Sequence, residues 1–174
     1  REFAVAALMK VNLFKRLESS IHSFNLTLRK LVNRIEHTLE LLSLHNHVMF
    51  QEDFDEVEDF DDEQLEAITV GSEKVQIQLK DIDALKWRGD LEYDLKILKS
   101  LLKQSEQITV IRDAKLNELK KIIKNKVENP INPGNKKIIV FSAFADTVKY
   151  LYEQLSEKLL ELGLHSAMVV GNGA

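Results

Sequence analysis

Residues 13–28, LFKRLESSIHSFNLTL, place two cations beside two hydroxyls: Lys15 and Arg16 stand four positions before Ser19 and Ser20. Residues four apart on a helix are neighbours, so Lys15 shares a face with Ser19, and Arg16 with Ser20. Such a face could hold a phosphate backbone, the cations giving charge and the hydroxyls directional donors. On chemistry alone an ordinary polar helix face with local ion pairs is the favoured reading. No complete catalytic set accompanies it. The sequence has no GxxxxGK[ST] phosphate loop, no GxSxG and no HExxH. Gly171 and Gly173 give a GxG after an apolar run; the third glycine of a dinucleotide fingerprint would lie beyond the end, and a lone GxG is a weak signal. His45 and His47, two apart, point to different faces of a helix and do not form a ligand pair; His22, His37 and His165 are isolated.

The most concentrated charge is acidic. Residues 52–66, EDFDEVEDFDDEQLE, hold ten carboxylates and no base. Asp53, Asp55 and Asp59 hint at a calcium loop, but Val57 stands at a ligand position and the turn glycine is missing. An acidic mobile loop over 50–72 is the expectation. The remaining 18 acidic residues face 24 Lys and Arg, so the rest of the chain is basic although the whole carries −4. A basic body suits a nucleic-acid partner or an ordinary solvated surface. With no cysteine there is neither a thiolate metal site nor a thiol nucleophile. No apolar run approaches the roughly 18 residues of a membrane span, and no secretory signal opens the chain. No membrane is expected, and the cytoplasm is the default location.

The elements that must position these groups are mostly helical. Leu17, Ile21, Phe24, Leu28, Leu31 and Ile35 recur at alternating steps of four and three, Leu39 and Leu42 extend the series, and no Gly or Pro interrupts residues 2–48. This predicts one long helix, either in a bundle or in an autonomous coiled coil; Phe24, with Leu26 and Val32 off the stripe, favours the bundle. Residues 72–80 alternate like a strand without an evident partner. Residues 81–88 suggest a short helix ending at Gly89, with Asp90 capping a second helix to about Gln107; a third is expected over 110–127. NPINPGN, residues 129–135, holds both prolines and breaks the pattern, so a boundary is placed there, with a helical region over 1–128 before it. Beyond it Lys136, Lys137, Ile138, Ile139, Val140 and Phe141 lead a strand covered on both faces. A helix capped by Asp146 and ended by Gly163 comes next, then a strand over 164–170: a parallel βαβ piece. The expected fold class is mostly α, a long-helix bundle followed by a truncated α/β piece.

Three stretches resemble one family. LFKRLESSIHSFNLTL resembles the helix after the first motor lobe in bacterial helicases of the Swi/Snf type, within superfamily 2. RDAKLNELKKIIKN (112–125) resembles the helix before the second lobe, and KKIIVFSAFADTVKYLYEQL (136–155) resembles motif IV, the first strand and helix of the second RecA-like lobe. The three stand in the family's order and cover about a third of the chain. The resemblance implies a piece of a longer motor, running from the helical region between lobes into lobe two over 136–174. Such motors couple ATP hydrolysis to movement along duplex DNA. ATP and magnesium are implied for the parent protein but no cofactor for this piece, whose phosphate loop and arginine finger would lie elsewhere. Motif IV maps onto Ile139, Val140, Phe141, Ser142, Phe144 and Asp146. Ser142, Phe144, Asp146 and Thr147 occupy the turn near the nucleic-acid track, where N–H groups of the following helix could face a phosphate. Ala143 stands where many relatives carry Gln. Lys15, Arg16, Lys136, Lys137, Ser142 and Thr147 are the nucleic-acid-binding candidates. A separate reading is a helical protein–protein module without nucleic-acid role, in which an exposed stripe of the first helix mediates homo-oligomerisation.

Overall fold

In the computed structural model, the described residues are 2–51, 69–72, 75–78 and 83–171. Two helices occupy the Gly- and Pro-free opening stretch, α1 (Glu2–Ser19) and α2 (Ile21–Gln51). The expected single helix is broken at Ser20, although Ser20 N–H still donates to Arg16 O and Phe24 N–H to Ser20 O. The cause is the Ser20 side chain. Its Oγ accepts from the Ser23 N–H at 3.1 Å, the bond of an N-cap residue to the third helical N–H. The stripe otherwise runs as the spacing predicts: Phe24, Leu28 and Leu42 are buried, and Ile21, Leu31, Ile35 and Leu39 half-buried; Val32, off the stripe, is buried too. Leu17 lies exposed. Thr27, Thr38 and Ser43 each satisfy their hydroxyl on the carbonyl four residues back, which lets polar residues ride within the helix.

Strand β1 (Thr69–Ser72) pairs antiparallel with β2 (Val75–Gln78), Thr69 opposite Gln78 and Ser72 opposite Val75. The alternating stretch thus finds its partner immediately upstream, inside the segment expected to be loop. Residues 52–68, with the acidic run and the rejected calcium pattern, lie outside the described residues.

Helix α3 (Ala84–Glu106) runs through Gly89 and Asp90, where two helices were expected. The cap is Asp83 instead, whose Oδ1 accepts from Lys86 N–H at 3.0 Å. One glycine costs a helix only about 1 kcal/mol, which the continuous hydrogen-bond ladder overrides. Helix α4 (Ala114–Glu128) is capped by Asp113 and stops before the Pro-rich stretch, where Gly134 adopts φ 78°. Helix α5 (Ala145–Glu161) ends in a full Schellman motif: Gly163 N–H donates to Leu160 O, and Leu164 N–H to Leu159 O. Its start differs from expectation. Phe144 holds the cap position and makes no side-chain cap bond, while Asp146 lies inside the first turn.

The two flanking strands of the expected βαβ piece are absent: residues 135–144 and 164–171 carry no regular secondary structure. They are not covered on both faces either, with Phe141 89% and Val169 91% exposed. Ile139 and Val140 are exposed as well. A parallel strand exists only by pairing with neighbours, and the described residues supply none for either segment. The mostly helical class holds; the sheet component does not form here.

The chain divides into two compact units, Arg1–Thr27 with Lys103–Ala174, and Leu28–Leu102. Residues 129–135 therefore interrupt the helices inside the first unit. That unit has its own core, where Leu116 and Ile123 of α4 meet Tyr150 and Leu155 of α5, flanked by Leu119, Val127, Leu151 and Leu159. In the second, α3 contributes half-buried Leu91, Leu95, Leu98 and Leu102, the predicted series; Lys99 pairs with Glu36 at 2.6 Å. No helix among the described residues is long and apolar enough to cross a membrane.

Three substitutions test this account. Leu116→Ala, at a fully buried site, is expected to lower unfolding free energy by about 2–5 kcal/mol in urea titrations, whereas Ile122→Ala on the exposed side of α4 costs less than about 1 kcal/mol. Gly163→Ala has space for the new methyl but must hold φ 72°, so a loss of about 1 kcal/mol is expected from backbone conformation alone.

Candidate functional site

Within the first unit, the break between α1 and α2, the start of α4 and the start of α5 meet. Breaking a helix leaves carbonyls without their usual donors. Ser23 N–H is engaged by Ser20 Oγ, and the carbonyls of Glu18 and Ser19 are taken by the Lys115 ammonium from the first turn of α4. A cation at a helix C-terminus also meets the negative end of the helix dipole.

Four hydroxyls form a chain beside this ammonium. Ser142 Oγ lies 3.2 Å from Ser19 Oγ, Ser19 Oγ 2.8 Å from Thr147 Oγ1, and Thr147 Oγ1 2.9 Å from Ser20 Oγ. Backbone N–H groups donate into both ends, Phe144 into Ser142 at 3.2 Å and Ser23 into Ser20. Thr147 is only 3% exposed, so its hydroxyl depends on these partners rather than on water. Such chains polarise one another and are worth more joined than apart.

Arg16 closes the outer side. Its guanidinium donates to Asp146 Oδ2 at 3.1 Å and to Ser23 Oγ at 3.2 Å, and lies 4.8 Å above the Phe144 ring. Both members of the ion pair keep about 30% of their side-chain surface in water, which holds the pair itself to roughly 1 kcal/mol. The position of Asp146 follows: its carboxylate turns to Arg16 and not to the N–H groups of its own helix.

The inner side rests on Asp113. Its Oδ1 accepts from Leu116 N–H at 2.9 Å as the cap of α4, and its Oδ2 from the Tyr150 hydroxyl at 2.9 Å. Tyr150 stacks on His22 with ring centroids 4.8 Å apart and planes 5° from parallel. Burial pushes the Tyr150 phenol well above its ordinary value, and the hydrogen bond to Asp113 and that carboxylate's charge add to the effect. A cavity of about 680 Å³ opens here, with Lys15, Lys115, Ser142 and Phe141 on its wall.

Of the sequence candidates, Arg16, Ser142, Phe144, Asp146 and Thr147 converge at this junction. Lys15 borders it, and Val140 and Phe141 reach the cavity wall. Lys136, Lys137 and Ile139 lie outside it and exposed. Lys15, Lys136 and Lys137 have no ion-pair partner among the described residues. Of the face expected to hold a phosphate, Ser19 and Ser20 bond Thr147 and Arg16 bonds Asp146. Sequence reasoning missed Asp113, Lys115, His22 and Tyr150. Only Asp113 carried a local signal, an Asp directly before an amphipathic helix.

No family model, no curated protein and no solved structure matches this chain.

Thr147→Val leaves Ser19 and Ser20 without their shared partner, and a loss of about 1–3 kcal/mol in chemical denaturation is expected. The Tyr150 phenol sets an alkaline limit. Its folded-state value is raised, so its contribution is complete below the ordinary phenol value near 10 and declines as pH rises above it. Stability of the wild-type chain, followed by urea unfolding from pH 8.5 to 11, should fall more steeply than that of Tyr150→Phe. Parallel curves would remove the role given to this phenol.

Proposed function

We propose that this chain is part of a DNA-dependent ATPase of the Swi/Snf type, comprising the helical connection between lobes and the opening of the second RecA-like lobe. The supporting observation is convergence. Residues 13–28, 112–125 and 136–155, the three stretches that resemble the family, are distant in sequence yet meet through the Arg16–Asp146 pair, the Ser19–Ser20–Thr147 hydroxyls, Lys115 and the Asp113–Tyr150 bond. The unpaired segments 138–141, exposed throughout, and 164–170, exposed at Met168 and Val169, on either side of α5 agree with strands of a parallel sheet whose neighbours are contributed from elsewhere in the motor. Arg16, Ser142, Phe144, Asp146 and Thr147 then fasten the connecting helices to the second lobe. Lys15, Lys136 and Lys137, exposed and without acidic partners, face the duplex. These 174 residues lack the phosphate loop, so ATP and magnesium are held by other parts of the motor.

The competing reading is a helical interaction module. It draws support from Met9, Val11 and Phe14, which leave apolar surface on α1 exposed. Sedimentation over a range of concentrations, with a DNA titration alongside, separates the two; a tight dimer with no DNA affinity favours the module.

The motor reading predicts weak, salt-dependent binding of duplex DNA, measured by fluorescence anisotropy. Lys136→Glu with Lys137→Glu should lower the slope of log K against log salt by about 2, and Lys15→Glu by about 1. Absence of duplex binding at low salt, or slopes unmoved by these changes, would refute the assignment.

A further inference from the structure

A second concave surface lies between α4 and α5, away from the junction. Its volume is about 340 Å³. Ile123, Leu155 and Leu162 form part of an apolar floor, and Lys120, Lys121, Lys124 and Lys158 stand around it. No carboxylate lines it. Lys121 pairs with Glu118 at 3.0 Å and Lys124 with Glu128 at 3.8 Å, but every one of these side chains is more than half exposed. Such pairs contribute little and exchange readily for a better partner. Lys120 and Lys158 have no ion-pair partner among the described residues.

An occupant of this groove has to supply two things at once, apolar side chains for the floor and carboxylates for the rim. Nucleic acid brings anions but nothing that gains by covering the exposed Leu162 and the half-buried Leu159 beside it. A bilayer surface brings both but is flat, whereas this floor is recessed and carries no aromatic anchor. The volume is near the lower end of ligand-sized pockets and takes a few side chains from one face of a helix. From this complementarity we infer that the α4–α5 groove docks an acidic amphipathic helix of a partner protein, its Phe or Leu side chains on the floor and its carboxylates on the four lysines. The inference is independent of the motor reading.

The test uses the full chain and a labelled synthetic peptide of about four helical turns, rich in Glu and Asp, with Phe at helical spacing. A second form of the full chain, with the ten carboxylates of 52–66 changed to amides, removes the chain's own acidic sequence as a competitor. Binding in the micromolar range to at least one form is expected, weakening with salt. The double variant Lys120→Glu with Lys158→Glu should weaken it about tenfold, because two attractive rim charges become repulsive toward the acidic peptide. Leu162→Asp should act similarly through the floor. Circular dichroism on each variant checks that total helix content is kept, and Lys121→Gln gives a milder version of the same loss. The inference is overturned if neither form binds, or if a peptide with Ser in place of Phe binds equally. It is also overturned if duplex DNA or phosphatidylserine vesicles, and not the peptide, depend on Lys120 and Lys158.

Discussion

The buried hydroxyl of Thr147 is the constraint around which the first unit is organised. A hydroxyl removed from water must find partners, and this one finds Ser19, the last residue of α1, and Ser20, the residue at the helix break. That fixes where the break occurs, because Ser20 can reach Thr147 and cap α2 only where the helix opens. It also fixes the start of α5 against the end of α1, and so sets the places of Arg16, Asp146 and Lys115. Directional bonds of this kind specify an arrangement that the apolar contacts of α4 and α5 leave less sharply determined.

The junction also shows how charge is distributed between structure and surface. Arg16 is drawn inward by three groups of different kinds, a carboxylate, a hydroxyl and an aromatic face. Its neighbour Lys15, one residue earlier and so rotated about the helix, stays in solvent. Adjacent cations in one sequence motif thus do different work: the planar guanidinium joins elements, and the ammonium remains available to an external anion.

Much of the helical fold could be read from the residues. The apolar stripe from Ile21 to Leu42, the stop at the Pro-rich stretch and the Gly163 ending each depend on near neighbours in sequence, and near neighbours are visible. The misreadings have the opposite character. Gly89 looked like a terminator because its local cost was counted without the ladder around it. Asp146 looked like a cap because Arg16, 130 residues away, could not be seen opposite it. Segments 138–141 and 164–170 have strand composition, yet strand formation depends on partners rather than on composition. The candidate site was half legible: the cations and hydroxyls were identifiable by type, but the Asp113–Tyr150 bond and the His22 stack are contacts across long separations that leave no periodic trace.

Asp113 gives two elements a single point of failure. One oxygen anchors the opening turn of α4 and the other anchors a side chain of α5, so unwinding of that turn and release of the tyrosine are not separate events. Local openings of the two helices are therefore linked. Amide protons at the head of α4 and those around Tyr150 should share one exchange regime, as members of a single cooperative segment rather than of two neighbouring ones.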